Sequence, residues 1–223
     1  MDTLPTSVLT DSEEDIQAWQ LPMGSELAKE QAPFGFVLKV VEGTLRVSGR
    51  DFNGQEYTIR RIKSGQWWGG LSAINGLAAV SCRTAGDCKL LAIPVELWAK
   101  CCDESLEMRS WLIEHPQPED IYSVLRPLLI QRELQDKNLA ELIDNLYSNV
   151  NTLEINTVEE LEEYWNTKNN KSWFFACSEK LLPDINHPGV KGFSKINIKQ
   201  ALQRSKTGLR VFALPTLDVE RLM

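Results

Sequence analysis

Between residue 17 and Pro94 the apolar residues fall in short runs, each closed by a turn that carries glycine. The run from Phe34 to Val41 meets Glu42-Gly43 and resumes at Thr44 to Ser48, which predicts strand, tight turn, strand. Asn53-Gly54 is a strong short hairpin signal. Tyr57 to Ile62 alternates apolar and polar residues, as a half-buried strand does. Ser64-Gly65 turns the chain into Trp67 and Trp68. Two further strands are predicted, from Ala79 to Thr84 and from Cys88 to Ile93, the second stopping at Pro94. Short strands with regularly spaced turns predict an antiparallel barrel or roll.

After Pro94 the period becomes helical, through Val95–Lys100 and Ser105–Ile113. His115-Pro116-Gln117-Pro118 breaks it, because a residue before proline avoids the helical region. One or two helices are expected from Glu119 to Tyr147, on the faces Ile121, Val124, Leu125, Leu128, Leu129 and Leu139, Leu142, Ile143, Leu146, with Pro127 offsetting the first. Beyond Asn149 the pattern predicts a short acidic helix capped by Thr157, a turn at Lys168–Lys171 and a strand at Ser172–Cys177. A loop at Pro183–Gly192, a helix at Lys195–Arg204 and a closing strand at Leu209–Leu214 follow. The expected division is a flexible leader at 1–15, a β-roll at 16–115, a helical linker at 116–148 and a small mixed α/β or abbreviated second β module at 149–223. The fold class is α+β.

Composition narrows the function. With 223 residues, 43% hydrophobic and 25% charged, the chain can bury a core without staples. A net charge of −7 gives no bulk attraction to nucleic acid or anionic membranes. The acidic, polar start is not that of a signal peptide, and no apolar run approaches a membrane span, so a cytoplasmic location is expected. The five cysteines include an adjacent pair and no C-x-x-C, which fits reduced, mostly buried thiols.

The order of pieces from Phe36 to Pro94 resembles the cyclic-nucleotide-binding domain family. Val40 to Val47 around Gly43, Asp51 to Glu56 around Gly54, Ile62 to Gly69 around Gly65, and Cys88 to Pro94 follow its succession of strands and glycine turns. In that family a short cassette grips the nucleotide. Backbone amides and an arginine hold the cyclic phosphate, and a glutamate accepts the ribose hydroxyl, because a buried phosphate needs positive partners or several donors. Here the cassette region runs from Trp68 through Gly69, Gly70, Leu71, Gly76 and Ala79 to Val80. Gly70 stands at the glutamate position and Ala79 at the arginine position. Arg83 comes four residues later, on a strand and out of register. With Trp67 these residues form the candidate site, a degenerate ligand pocket. Loss of the charged grip should cost several kcal/mol of affinity, so little or no cyclic AMP or cyclic GMP binding is expected.

The degenerate cassette, the tryptophan pair and the His-Pro-Gln-Pro segment resemble the N-terminal regions of cyanobacterial peptide-exporting ABC transporters. That resemblance implies the leading part of a longer chain, with other transporter domains or an exported peptide as partners. No G-x-x-x-x-G-K-[ST] loop is present.

Other constellations read more simply as structure. Cys177 and His187 lack an orienting third group, so no thiol nucleophile is expected. Ser205-Lys206-Thr207-Gly208 has no S-x-x-K partner, and the two histidines are too few to suggest a metal site. The basic residues from Lys191 to Arg210 read as a solvated face. No cofactor and no enzymatic activity are expected. The expected function is regulatory or docking. The alternatives are a sensor of a different small molecule and a transcription regulator of the cyclic-AMP-receptor type.

Overall fold

A computed structural model describes residues 15–70, 77–105, 108, 117–131, 138–148, 151–167, 172–179 and 209–215. The chain divides into two compact units, Met1–Leu112 and Ile113–Met223. The expected turn at Lys168–Lys171, the loop at Pro183–Gly192 and the helix at Lys195–Arg204 lie outside the described residues.

The first unit is an antiparallel roll of two four-stranded sheets. β1 (Gln17–Leu21), β8 (Cys88–Pro94), β3 (Phe36–Glu42) and β6 (Trp67–Trp68) form one, in the order β1-β8-β3-β6. β2 (Glu26–Ala28), β7 (Ser81–Thr84), β4 (Thr44–Arg50) and β5 (Glu56–Lys63) form the other, in the order β2-β7-β4-β5. Strand alternation sets the core. Leu45 and Val47 of β4 face inward opposite Thr84 and Cys82 of β7, and all four are buried. Leu38, Val40, Leu90 and Ala92 close the core from the first sheet. Arg46 of β4 and Arg83 of β7, in register with each other, take the opposite face.

The expected turn at Glu42-Gly43 is present and joins β3 to β4 at φ +91° on Gly43. A Cβ there would lie 2.4 Å from the Asp87 carbonyl oxygen and 2.7 Å from the Cys88 Sγ, so the tight approach of the β7–β8 turn needs glycine. The Asn53-Gly54 hairpin is present too. Asp51 supports it, its side chain accepting from the Asn53 and Gln55 amides.

Helix α1 (Val95–Glu104) follows β8 directly. It buries Leu97, Trp98 and Cys101, and its Val95 amide donates to Gly35 O at 2.9 Å. Burial, with the Glu104 charge beside it, pushes the Cys101 thiol up, so it stays protonated at neutral pH.

The second unit holds helices α2 (Pro118–Gln131), α3 (Leu139–Tyr147) and α4 (Val158–Thr167). It also holds a three-stranded antiparallel sheet in the order β10 (Ser172–Glu179), β11 (Leu209–Pro215), β9 (Asn151–Ile155). The stretch expected as a linker therefore forms two helices of this unit, and α2 runs through Pro127. Pro118 occupies the first helical position of α2, where no amide partner is lost, and Asp120 caps it by accepting from the Gln117 amide at 2.8 Å. α3 buries Leu139, Leu142, Ile143 and Leu146, one helical stripe. Thr157 caps α4 as expected, accepting from the Glu160 amide at 3.2 Å, while Glu160 reaches back to the Asn156 amide. Cys177 sits at a bulge in β10, between Ala176 and Ser178. Among the described residues no helix is long and apolar enough to cross a membrane, and no three His, Cys, Asp or Glu side chains gather as metal ligands.

Candidate functional site

The cassette leaves the first sheet at β6 and rejoins the second at β7. Its two tryptophans are strand neighbours, so they point to opposite faces. Trp68 is 2% exposed and packs on Phe34, ring centroids 4.9 Å apart. Trp67 turns toward α1, its ring 6.0 Å from Trp98, with Lys39 Nζ 5.3 Å from its centroid. The pair therefore packs against two different neighbours and does not close around a common ligand.

Gly69 follows at φ +94°, where a Cβ would stand 2.8 Å from the Phe34 ring. Only glycine fits beside that ring, which accounts for its presence where the charged neighbours are missing. Gly70 is half-buried. Leu71 and Gly76 lie outside the described residues. The chain returns pinned to the segment before β3. Ala78 N donates to Ala32 O at 2.9 Å, Gln31 N donates to Ala78 O at 2.8 Å, and Pro33 bridges Leu77. Ala78 and Val80 are buried and Ala79 is half-buried. Neither Gly70 nor Ala79 brings a side chain that can pair with a phosphate or a ribose hydroxyl.

Arg83 does not replace them. It projects from the outer face of its sheet, where it pairs with the Glu56 carboxylate. Arg46 reaches the same carboxylate at 3.5 Å and donates to Thr58 Oγ1 at 2.8 Å. Partial burial raises the Glu56 carboxyl, but the Ser48 hydroxyl, the Arg83 hydrogen bond and the two guanidinium charges outweigh it and hold the group below its ordinary value. Arg83 is the member of the candidate set that lines the hollow on this face, a cavity of about 130 Å³ whose surface is mostly polar. Glu56 and Ser48 were not singled out from sequence. The available signal was strand alternation, which places Arg46, Ser48 and Arg50 on one face of β4.

A carboxyl with a lowered native pKa stabilises the fold above its unfolded value and loses that contribution as pH falls through the native one. Wild type should therefore exceed Glu56→Gln in unfolding free energy at neutral pH. The difference should shrink below the ordinary glutamate value of about 4.3. Urea unfolding of both proteins across that range checks it, and a pH-independent difference would count against the ion-pair account.

Residues 18–105 match the cyclic nucleotide-binding domain family. That match runs from Ala18 of β1 to the end of α1. Similar solved structures include the Thermus thermophilus catabolite activator protein, at 18% identity over 59% of this chain and 58% of that one, TM-score 0.43. The N-terminal domain of a Streptomyces coelicolor transcriptional regulator is 18% identical over 58% and 86%, TM-score 0.41. A regulatory subunit of a cAMP-independent protein kinase A from Trypanosoma brucei is 17% identical over 50% and 42%, TM-score 0.44. The chain thus spans under two thirds of the Thermus and Trypanosoma proteins. No curated protein matches it.

Proposed function

We propose that the roll is a non-catalytic regulatory or docking domain from which the charged grip on cyclic nucleotides has been lost. The observation that carries this reading is the cassette. Gly70 and Ala79 occupy the gripping positions, and Arg83, the nearest arginine, faces outward and is held by Glu56. A buried cyclic phosphate would be left without a cationic partner, which costs far more than a surface ion pair returns.

Isothermal titration calorimetry with cyclic AMP and cyclic GMP tests it. No heat of binding is expected at micromolar nucleotide. Micromolar affinity for either would overturn the reading of Gly70 and Ala79.

The partner we infer is the remainder of a peptide-exporting transporter chain, at the cytoplasmic face of its membrane. The support is the sequence resemblance in the cassette, the tryptophan pair and the following prolines. Sequencing the native transcript past the codon for Met223 decides it, since a transporter must be encoded downstream. A second reading, a transcription regulator, takes its cue from the Streptomyces coelicolor protein, a transcriptional regulator. Against it stand the acidic first turns of α2, with Glu119 and Asp120, and α4, with Glu159 and Glu160, which repel a phosphate backbone. A gel shift at physiological salt would revive it.

A further inference from the structure

The second sheet ends on β5. Its order, β2-β7-β4-β5, gives β5 one ladder, to β4, and no further strand pairs with it among the described residues. Such an edge presents backbone N–H and C=O groups that can take up one more strand. The other edges of the roll are shorter, with five residues in β1, three in β2 and two in β6 against eight in β5.

Charge selects which strand fits. A bulge opposite Val47 and Ser48 leaves Ile59 without a register partner on β4. That extra residue shifts the alternation, so Ile62 turns into the core opposite Leu45 while Arg61 and Lys63 take the outer face. Arg83, Arg46 and Arg61 then stand in one row across β7, β4 and β5. Glu56 answers the first two. Arg61 is exposed and forms no ion pair among the described residues. Lys63 is exposed as well. Its amide donates to Gln66 Oε1 at 2.8 Å, and its ammonium forms no ion pair among the described residues. Two cations on alternate residues of one face match the period of a strand. Carboxylates on every second residue of an added strand come into line with both, and opposite charges on neighbouring strands attract. A second copy of β5 would set cation against cation, so the edge disfavours itself as a partner.

We propose that β5 accepts an acidic extended segment of a partner protein as an added strand, with alternate carboxylates against Arg61 and Lys63. The inference does not rest on the loss of nucleotide binding, since a roll that bound cyclic AMP could keep this edge.

Fluorescence anisotropy with the full chain tests it. The probe is a labelled peptide of alternating Glu and Thr, as long as β5. Saturable binding that weakens with added salt is expected. A peptide of alternating Glu and Pro carries the same charge but lacks half the amides for a ladder, and should bind about tenfold more weakly or worse. Arg61→Glu and Lys63→Glu should each weaken the Glu-Thr peptide about fivefold or more, and the double variant should prefer a Lys-Thr peptide. Hydrogen exchange should slow across Glu56–Lys63 when the Glu-Thr peptide is bound. Absence of saturable binding, equal affinity for the Glu-Pro peptide, undiminished affinity in both single variants, or unchanged exchange in β5 would each overturn the proposal.

Discussion

Gly43→Ala is expected to destabilise the roll by about 2–6 kcal/mol. Of this, about 1–3 comes from holding an L-residue at positive φ and about 1–3 from forcing a methyl into packed surroundings. The atoms it would meet are the Asp87 carbonyl oxygen, the Cys88 Sγ and the Cys88 Cα; two of the three are backbone, so rotating the thiol away would not relieve the contact. Domains hold only about 5–15 kcal/mol in total, so a large share of the stability is at stake. Gly54→Ala is the internal comparison. It has φ +80° but nothing within 4 Å of the added carbon, so it isolates the backbone cost at about 1–3 kcal/mol. Denaturant midpoints at constant m report both losses. Equal losses at the two positions would remove the steric part of the argument.

Trp68→Ala should cost about 3–5 kcal/mol, the range for emptying a buried aromatic site. The indole is among the largest fully buried side chains and fixes the Phe34 ring that Gly69 accommodates. Its Nε1 has no hydrogen-bond partner. Trp68→Phe therefore removes an unpaired donor along with some volume and should cost less than about 1.5 kcal/mol. Trp67→Ala, at a half-buried site against Trp98, should fall between the two. Thermal melts of the three variants set the order, and a Trp67 loss equal to that of Trp68 would contradict the assignment of Trp68 as the core ring.

The hairpins were legible because their signals are local. Gly43 and Gly54 stand where positive φ is required, and Pro94 stops β8 where the ladder can spare an amide. β1, β2 and β9 were much harder to read. β1 (Gln17–Leu21) is a sheet edge with no fully buried residue, and its pairing with β8 is set by distant residues. β2 has three residues, too few for a period. β9 (Asn151–Ile155) pairs with β11, far along the chain, so nothing beside it announces the ladder. The site divided the same way. Absence of charge at Gly70 and Ala79 could be read directly, as could the displacement of Arg83 out of register on the following strand, but not the face it takes. The Glu56 contact could not, because it crosses β4 to join β5 with β7, a neighbourhood created by sheet order alone.

The pairing of β1 with β8 has a consequence for how the protein is made. Gln17 meets Ala92, and Leu21 meets Cys88. During translation the first strand therefore has no partner until nearly the whole roll has emerged from the ribosome, because contacts this distant in sequence must wait for the chain between them. The nascent chain holds unpaired apolar strands through that interval. Slow codons just after Pro94 would give the roll time to close before the second unit appears.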